Sequence, residues 1–141
     1  MINKIMAGYS ATPLAKKLGI KPGCSMRIIN APEYYFDLFS DMPDAIQVLT
    51  ETKSKKNFIH VFIKQIDELE KDIVKLKNEI EKDGMIWVSW YKKAAKIPTD
   101  VTEDKIRALA LANGLVDVKV CAVDETWSGL KLVIPLKNRK P

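Results

Sequence analysis

The chain has 141 residues, of which 47% are hydrophobic and 29% charged, and its net charge is +5. This length and composition are typical of one globular domain with a buried core. No apolar run approaches the roughly 20 residues that span a bilayer, and Met1 to Met6 is too short and interrupted for a signal peptide. We therefore expect a cytoplasmic protein without a membrane partner.

The two cysteines, Cys24 and Cys121, lie far apart, and neither belongs to a Cys-x-x-Cys pattern. Isolated cysteines in apolar segments predict buried, reduced thiols rather than a disulfide framework or a metal site.

The first half of the chain predicts two short helices and three strands. Thr12-Pro13 and Gly19 are typical of the start and the end of a helix. Pro32 suits the first turn of a second helix after a β-branched strand. A third strand is apolar almost throughout, which predicts a central strand buried on both faces. The predicted elements are a helix at 14–18, a strand at 25–30, a helix from Pro32 to about Phe39, and strands at 45–51 and 58–63.

The second half predicts two longer helices, each followed by a strand, and a closing strand. Apolar residues at steps of three and four predict the longest helix, which Asp83-Gly84 ends. Thr102 with Glu103 and Asp104 predicts the cap and first turn of the next helix. The final connection, 124–129, is too short for a parallel crossover, so the last strand runs antiparallel. The predicted elements are helices at 65–82 and 102–112 and strands at 85–91, 116–123 and 130–136.

This alternation predicts an α/β fold, a Rossmann-like three-layer sandwich with a mainly parallel sheet of about six strands and an antiparallel C-terminal hairpin. We expect one domain over residues 1–141, with a flexible extension at 1–6 and a basic tail at 137–141. One connection does not fit, because residues 52–57 are too few for a parallel crossover. The strand at 45–51 is therefore either a short edge strand or wrongly assigned.

The order of elements, the long helix that ends in Asp83-Gly84 and the final hairpin together resemble the later half of a class I S-adenosylmethionine-dependent methyltransferase. The resemblance implies a glycine-rich turn after the first strand, packed on the cofactor, and an acid after the second strand that holds the ribose. Here the turn is Asn30-Ala31-Pro32-Glu33 and has no glycine, whereas Glu51 stands at about the position of that acid. We therefore expect a truncated, methyltransferase-like domain without a cofactor, with S-adenosylmethionine as the alternative.

Three segments also resemble a family of short bacterial proteins of unassigned activity. The resemblance covers nearly the whole chain and implies a stand-alone bacterial domain. Members of that family usually begin near Met6-Ala7-Gly8-Tyr9, which indicates that the residues before this point are an extension. The segments that carry the likeness are 7–20, Trp87-Val88-Ser89-Trp90 with Lys92-Lys93, and 117–131.

Aromatic and charged residues gather where the predicted strands end, and ligands of open α/β sheets bind at that edge. Trp127, in the predicted hairpin loop, is expected to be exposed and is the best aromatic candidate. Trp87 and Ser89 share one face of their strand and Trp90 the other. This group could hold a small anionic or heteroaromatic molecule by stacking and charge. Alternatively, Trp87 and Trp90 pack under neighbouring helices, Trp127 stabilises the hairpin and the charges are simply solvated. The candidate ligand-binding residues are Asn30, Glu33, Glu51, Ser89, Trp90, Lys92, Asp124, Glu125 and Trp127.

No catalytic set can be assembled from the sequence. His60 lies among apolar residues within a strand, which favours a hydrogen-bonded core residue. Asp124-Glu125 with Glu33 could ligate a hard cation or supply a general base, but adjacent acids in a turn are more often caps. The sequence has no Ser-His-Asp set, Walker loop or zinc-ligand cluster. We therefore predict no catalytic residue and no metal-binding residue.

Three functions remain. The first is a domain that binds an unknown small molecule or protein at the Asn30, Trp90 and 124–127 edge. The second is a divergent methyltransferase that uses Glu51 on the ribose. The third is nucleic-acid binding through the lysines of 53–56 and the tail at 137–140, as the positive net charge suggests. The apolar stripe of the 65–82 helix is too short for a coiled coil, so we expect a monomer or a weak homodimer.

Overall fold

The computed structural model describes residues 12–139, which contain a mixed sheet of six strands in the order β2-β1-β3-β4-β6-β5. β1 pairs in parallel with β2 and β3, and β3 with β4, whereas β6 runs antiparallel to β4 and β5. This confirms the predicted α/β, Rossmann-like fold with its antiparallel hairpin. The predicted extension at 1–6 and residues 140–141 of the tail lie outside the described residues. The strands are β1 Ser25–Ile29, β2 Gln47–Val48, β3 Lys56–Phe62, β4 Ile80–Tyr91, β5 Val116–Ala122 and β6 Trp127–Val133.

Within residues 12–139, three α-helices accompany the sheet: α1 Leu14–Leu18, α2 Ile66–Glu79 and α3 Glu103–Ala112. Thr102 caps α3 as predicted, since its hydroxyl accepts a hydrogen bond from the Lys105 N–H. No helix within residues 12–139 is long and apolar enough to cross a membrane. Single 3₁₀ turns lie at Tyr35–Leu38, Lys93–Ala95 and Leu136–Asn138.

α1 has the predicted bounds but a different cap. Its N-cap residue is Pro13, which offers no side-chain oxygen. The carboxylate of Asp41 accepts hydrogen bonds of 3.1 Å from the N–H groups of Ala15 and Lys16 instead. Asp41 thus replaces the missing N-cap side chain and connects the helix to the loop before β2.

The two faces of the sheet bury separate cores. On one face, α2 and α3 pack on apolar residues of β3, β4 and β6, including Trp90. On the other face, α1 packs on Met26, Phe58 and Trp87. Trp87 and Trp90 therefore point to opposite faces, as the alternation of a strand requires.

β2 is shorter than the strand predicted at 45–51. Its two residues pair with Ser25 and Met26 at the start of β1, and the chain then leaves the sheet. After so short a strand, the chain must return by only about 7 Å to begin β3. The short connection at 49–55 is therefore sufficient. β2 is a short edge strand, which was one of the two explanations that the sequence left open for this connection.

α2 ends at Glu79, not at Lys82 as predicted. The backbone of Ile80 is extended and pairs with Lys56 of β3, and the Ile80 side chain is buried. β4 therefore begins at Ile80, earlier than predicted. The segment Asp83-Gly84 consequently lies inside β4, beside a shift in the β3–β4 register. A Cβ on Gly84 would lie 3.0 Å from the carbonyl oxygen of Lys56, so this close approach favours glycine.

Two other predicted boundaries are wrong. The helix expected from Pro32 to Phe39 is only the 3₁₀ turn, which follows a sharp left-handed turn at Asn30 (φ 57°). The strand expected at 130–136 is β6 and begins three residues earlier, at Trp127. It begins there because Asp124 closes the hairpin within a few residues by accepting backbone N–H groups, a geometry that sequence periodicity does not show.

Candidate functional site

Asp124 joins three segments at the carboxyl edge, the edge of the sheet where β1, β3 and β4 end. Its Oδ1 accepts hydrogen bonds of 2.8 Å from the N–H groups of Thr126 and Trp127. Its Oδ2 accepts a hydrogen bond of 2.8 Å from the hydroxyl of Tyr34. Its carbonyl oxygen accepts one of 3.0 Å from Nζ of Lys92. The turn after β1, the end of β4 and the β5–β6 hairpin are thus held together by one residue.

Trp127 is buried, so the prediction of an exposed indole is wrong. Only 5% of the residue is accessible, because it lies in β6 rather than in a loop. Its ring stacks on Tyr91 with 4.4 Å between centroids and meets the edge of Phe62 at 5.0 Å. Trp90 is buried on the opposite face with α2 and α3. Both tryptophans therefore belong to the core.

Ser89 belongs to a buried chain of three polar side chains. Its Oγ lies 2.7 Å from Nε2 of His60, and the hydroxyl of Tyr35 lies 2.9 Å from Nδ1 of the same ring. Burial lowers the pKa of His60 to about 3, so the imidazole is neutral at ordinary pH. The structure confirms the expectation of a hydrogen-bonded core histidine. Because all three residues are buried, they do not present a nucleophile to a substrate.

Glu51 follows β2 and is held by contacts with Ser54 and Lys56. Its carboxylate accepts hydrogen bonds from the N–H (2.9 Å) and the hydroxyl (2.6 Å) of Ser54, and these lower its pKa to about 2. Its carbonyl oxygen accepts a hydrogen bond of 2.7 Å from Lys56, the first residue of β3. The ribose-binding role of Glu51 stays a prediction; in this structure its carboxylate is engaged by Ser54 and its carbonyl oxygen by Lys56.

The turn after β1 exposes acidic and aromatic side chains at the carboxyl edge, whereas Lys64 and Lys93 are exposed after β3 and β4. Tyr34 and Phe36 are 40% and 47% exposed. Asn30, Glu33 and Glu125 are also exposed. Between residues 28 and 52 the chain has five acids and no lysine or arginine. We call five of these residues the rim: Glu33, Tyr34, Phe36, Asp37 and Glu125.

Sequence reasoning missed Tyr34 and Phe36. A usable signal was present, since three consecutive aromatic residues, Tyr34-Tyr35-Phe36, follow Pro32 directly. Such a run on a single turn cannot be buried completely, because successive side chains point in different directions. Tyr35 is buried against His60 and Phe62, and its two neighbours are left at the surface.

A groove of about 570 Å³ lies beside α2. Arg27 donates hydrogen bonds of 2.6 and 2.8 Å to the two carboxylate oxygens of Glu79, and the ammonium of Lys56 lies 3.1 Å from the same carboxylate. The carboxylate of Glu79 therefore has two cationic partners. The groove is lined by Arg27, Ile29, Thr52, Asp72, Lys75, Leu76, Asn78 and Glu79.

The lysines of 53–56, predicted to contact nucleic acid, do not form a free cationic patch. Lys56 is completely buried in the ion pair with Glu79. Lys55 donates a hydrogen bond of 3.0 Å to the carbonyl oxygen of Asn78 at the end of α2. Two of these lysines thus stabilise the fold, because β3 begins among them. Within residues 12–139, no group of histidine, cysteine, aspartate and glutamate side chains is arranged to hold a metal ion.

Solved structures resemble this fold over most of its length, although no protein-family model and no curated protein matches the chain. A SAM-dependent methyltransferase from Aquifex aeolicus aligns with a TM-score of 0.58 and 16% identity, over 85% of this chain and 87% of its own. Magnesium protoporphyrin IX methyltransferase (ChlM) from Synechocystis PCC 6803, with bound SAH, aligns with a TM-score of 0.56 and 11% identity, over 81% and 75%. This chain has the fold of S-adenosylmethionine-dependent methyltransferases.

The same fold is present in a protein described as a pericyclic reaction enzyme, with a TM-score of 0.53 and 12% identity, over 86% of this chain and 39% of that one. At such identities the likeness shows the fold alone. Membership of the bacterial family expected from the sequence stays a prediction.

Three features differ from a methyltransferase site for S-adenosylmethionine. The turn at Asn30-Ala31-Pro32 presents Cβ atoms and a proline ring where glycine would let the backbone approach a ligand. β2 ends opposite Met26, whereas β1 continues to Ile29, so β2 does not extend to the level of that turn. The acid after β2, Glu51, is held near the start of β3. The residues present do not fit the cofactor in the manner that the fold implies.

Proposed function

We propose that this protein is a binding domain on a methyltransferase fold and does not use S-adenosylmethionine. The observation that supports the proposal most strongly is the position of Glu51. Its carboxylate is already hydrogen-bonded to Ser54, and its carbonyl oxygen accepts a hydrogen bond from Lys56, so both groups have partners other than a ribose. The cofactor would lose both the close backbone approach and the ribose contact on which the fold normally relies.

The ligand that suits the rim is cationic, either a small amine or an arginine-bearing segment of a partner protein. Exposed Tyr34 and Phe36 offer aromatic faces, and Glu33 and Asp37 place carboxylates next to them in the sequence. A guanidinium or ammonium group is attracted both to aromatic faces and to carboxylates. The hydrogen bond between Tyr34 and Asp124 holds one aromatic ring in place before binding, which lowers the entropic cost of association.

Isothermal titration calorimetry with S-adenosylhomocysteine tests the first part of the proposal. We expect no heat of binding at millimolar ligand, with a methyltransferase that binds the compound as the positive control. Micromolar binding would overturn it. If such binding were observed and were lost in Glu51→Ala, the acid would take part after a rearrangement of the 49–55 connection.

Two-dimensional ¹H–¹⁵N NMR with N-acetyl-arginine amide tests the rim. We expect shifts of the amide signals of 33–37 and 124–127 that saturate, and no such shifts with N-acetyl-glutamate amide. The double variant Glu33→Gln/Asp37→Asn should abolish them. Glu70→Gln, an exposed acid of α2, is the matched control and should not. Equal shifts with both probes, or no loss in the double variant, would contradict a cationic ligand.

A divergent methyltransferase is the second candidate, because structures of this fold with bound SAH align over most of the chain. In this candidate the glycine-free turn would have to accept the methionine part of the cofactor, and a group other than Glu51 would have to hold the ribose. The calorimetric titration separates the two candidates directly.

A further inference from the structure

Lysine side chains converge at strands β5 and β6, on the face of the sheet that carries α1. Lys119 of β5 and Lys131 of β6 are direct partners across the strand ladder. Nζ of Lys119 donates a hydrogen bond of 3.1 Å to the carbonyl oxygen of Lys17, and Nζ of Lys17 donates one of 2.9 Å to that of Ala122. Nζ of Lys131 lies 3.9 Å from the point where a Cβ of Gly19 would stand. Three ammonium groups are thus gathered between α1 and the hairpin strands.

Two further cations lie near Lys131. Its pKa is lowered by partial burial and then by the positive charges of Lys119, Lys21 and Arg139. Within residues 12–139, none of these cations forms an ion pair with a carboxylate. Like charges directly opposite each other on neighbouring strands destabilise a sheet. We call the group the basic face: Lys17, Lys21, Lys119, Lys131 and Arg139.

We propose that the basic face binds a chain of phosphate groups. Several point charges spread over two strands, a helix end and the segment after β6 match an extended anion better than a single one. A bound polyanion would remove the repulsion between Lys119 and Lys131, whose positions on one face the sheet itself fixes. This site lies away from the rim and does not depend on the function proposed for it.

The phosphates rather than the bases would be recognised. Non-specific single-strand binding that uses bases depends on aromatic platforms. The exposed aromatic residues of 12–139, Tyr34 and Phe36, lie at the rim instead, and Trp87, the partner of Lys131 on the neighbouring strand, is fully buried. The two sources of such a chain are inorganic polyphosphate and the backbone of a single-stranded nucleic acid.

Fluorescence anisotropy with a labelled 20-residue oligothymidylate, repeated over a range of salt concentrations, tests the site. Five phosphate contacts predict a slope of about −3.5 in log K against log salt. Lys119→Gln/Lys131→Gln should weaken binding about tenfold and reduce the magnitude of the slope by about 1.4. The charge-matched control Lys71→Gln/Lys75→Gln on α2, across the sheet, should change binding much less. Equal effects of the two double variants would overturn the proposal.

Competition with unlabelled inorganic polyphosphate distinguishes the two sources. Displacement at similar concentrations of phosphate, or binding of polyphosphate alone, supports recognition of a phosphate chain. Binding of the oligonucleotide without displacement by polyphosphate would mean that bases are recognised, and would overturn it, as would failure of both ligands to bind. Urea unfolding supplies the check on folding: the unliganded Lys119→Gln/Lys131→Gln variant should be no less stable than the wild type, because it removes a repulsive pair.

Discussion

The hydroxyl of Tyr34 donates a hydrogen bond of 2.8 Å to Oδ2 of Asp124, across 90 positions of sequence. The bond connects the turn after β1 to the hairpin before β6. Burial, followed by the hydrogen bond to Asp124 and the charge of that carboxylate, raises the pKa of Tyr34. The phenol therefore stays protonated, and able to donate this hydrogen bond, at neutral pH.

Removing either partner of this bond should destabilise the protein to different extents. Tyr34→Phe deletes one hydrogen bond at a partly exposed position and should lower the free energy of unfolding by about 1 kcal/mol. Asp124→Ala also leaves the N–H groups of Thr126 and Trp127 without their acceptor and should cost about 2 kcal/mol or more. Urea denaturation measures both. Equal losses in the two variants would show that the hairpin does not depend on the carboxylate.

Substitutions among the charged residues around Glu79 should destabilise the protein more than removal of the Tyr34–Asp124 hydrogen bond. Lys56 is fully buried and donates to the carbonyl oxygens of Glu51 and Ser54 as well as facing Glu79. Lys56→Met would remove a cation from the buried carboxylate of Glu79 and the donor from two carbonyl oxygens, so we expect a loss of about 3 kcal/mol in urea denaturation. Glu51→Gln keeps the carbonyl oxygen that Lys56 uses and is the control, with a much smaller expected effect. A large loss in the control would mean that the 3.5 Å contact with the Glu51 carboxylate is the essential one.

Stability should fall with acid because of His60. Burial lowers its pKa to about 3 in the folded protein, whereas the unfolded chain takes up the proton near 6.5. The unfolded state therefore binds more protons between these values, and stability is lost as the pH falls below 6.5, by about 1 kcal/mol per pH unit. Urea denaturation between pH 6.5 and 5 should show this slope in the wild type but not in His60→Gln. An identical slope in the variant would assign it to other groups.

Sequence patterns predicted the elements whose signals are local. The apolar spacing of the 65–82 segment and the cap at Thr102 found α2 and α3, and the short final connection correctly implied an antiparallel strand. The boundaries failed where a distant residue decides them. Ile80 pairs with Lys56 of β3, and no local sequence pattern predicts that pairing.

The candidate site was harder to predict than the fold for the same reason. Glu51 stands at the expected position in sequence, but β2 has only two residues and the carboxylate of Glu51 is engaged by Ser54. Trp127 looked like a loop residue, yet hydrogen bonds to Asp124 start β6 at that position and bury the indole. The basic face joins Lys17 to Lys119 across 102 positions, so the charge runs that are visible in the sequence pointed elsewhere.

Gly129 of β6 is expected to be intolerant of any side chain. A Cβ there would lie 3.1 Å from Cε3 of Trp87, 3.3 Å from Cγ2 of Val123 and 3.4 Å from Oγ of Ser89. Trp87 cannot withdraw easily, because its indole N–H donates a hydrogen bond of 2.8 Å to the carbonyl oxygen of Leu18. Overpacking of this kind costs about 1–3 kcal/mol, so Gly129→Ala should lower the urea midpoint, with Ser128→Ala as the neighbouring control. If Gly129→Ala were as stable as the wild type, α1 would have to shift away from β4, and the tryptophan fluorescence of the folded protein would reveal that change.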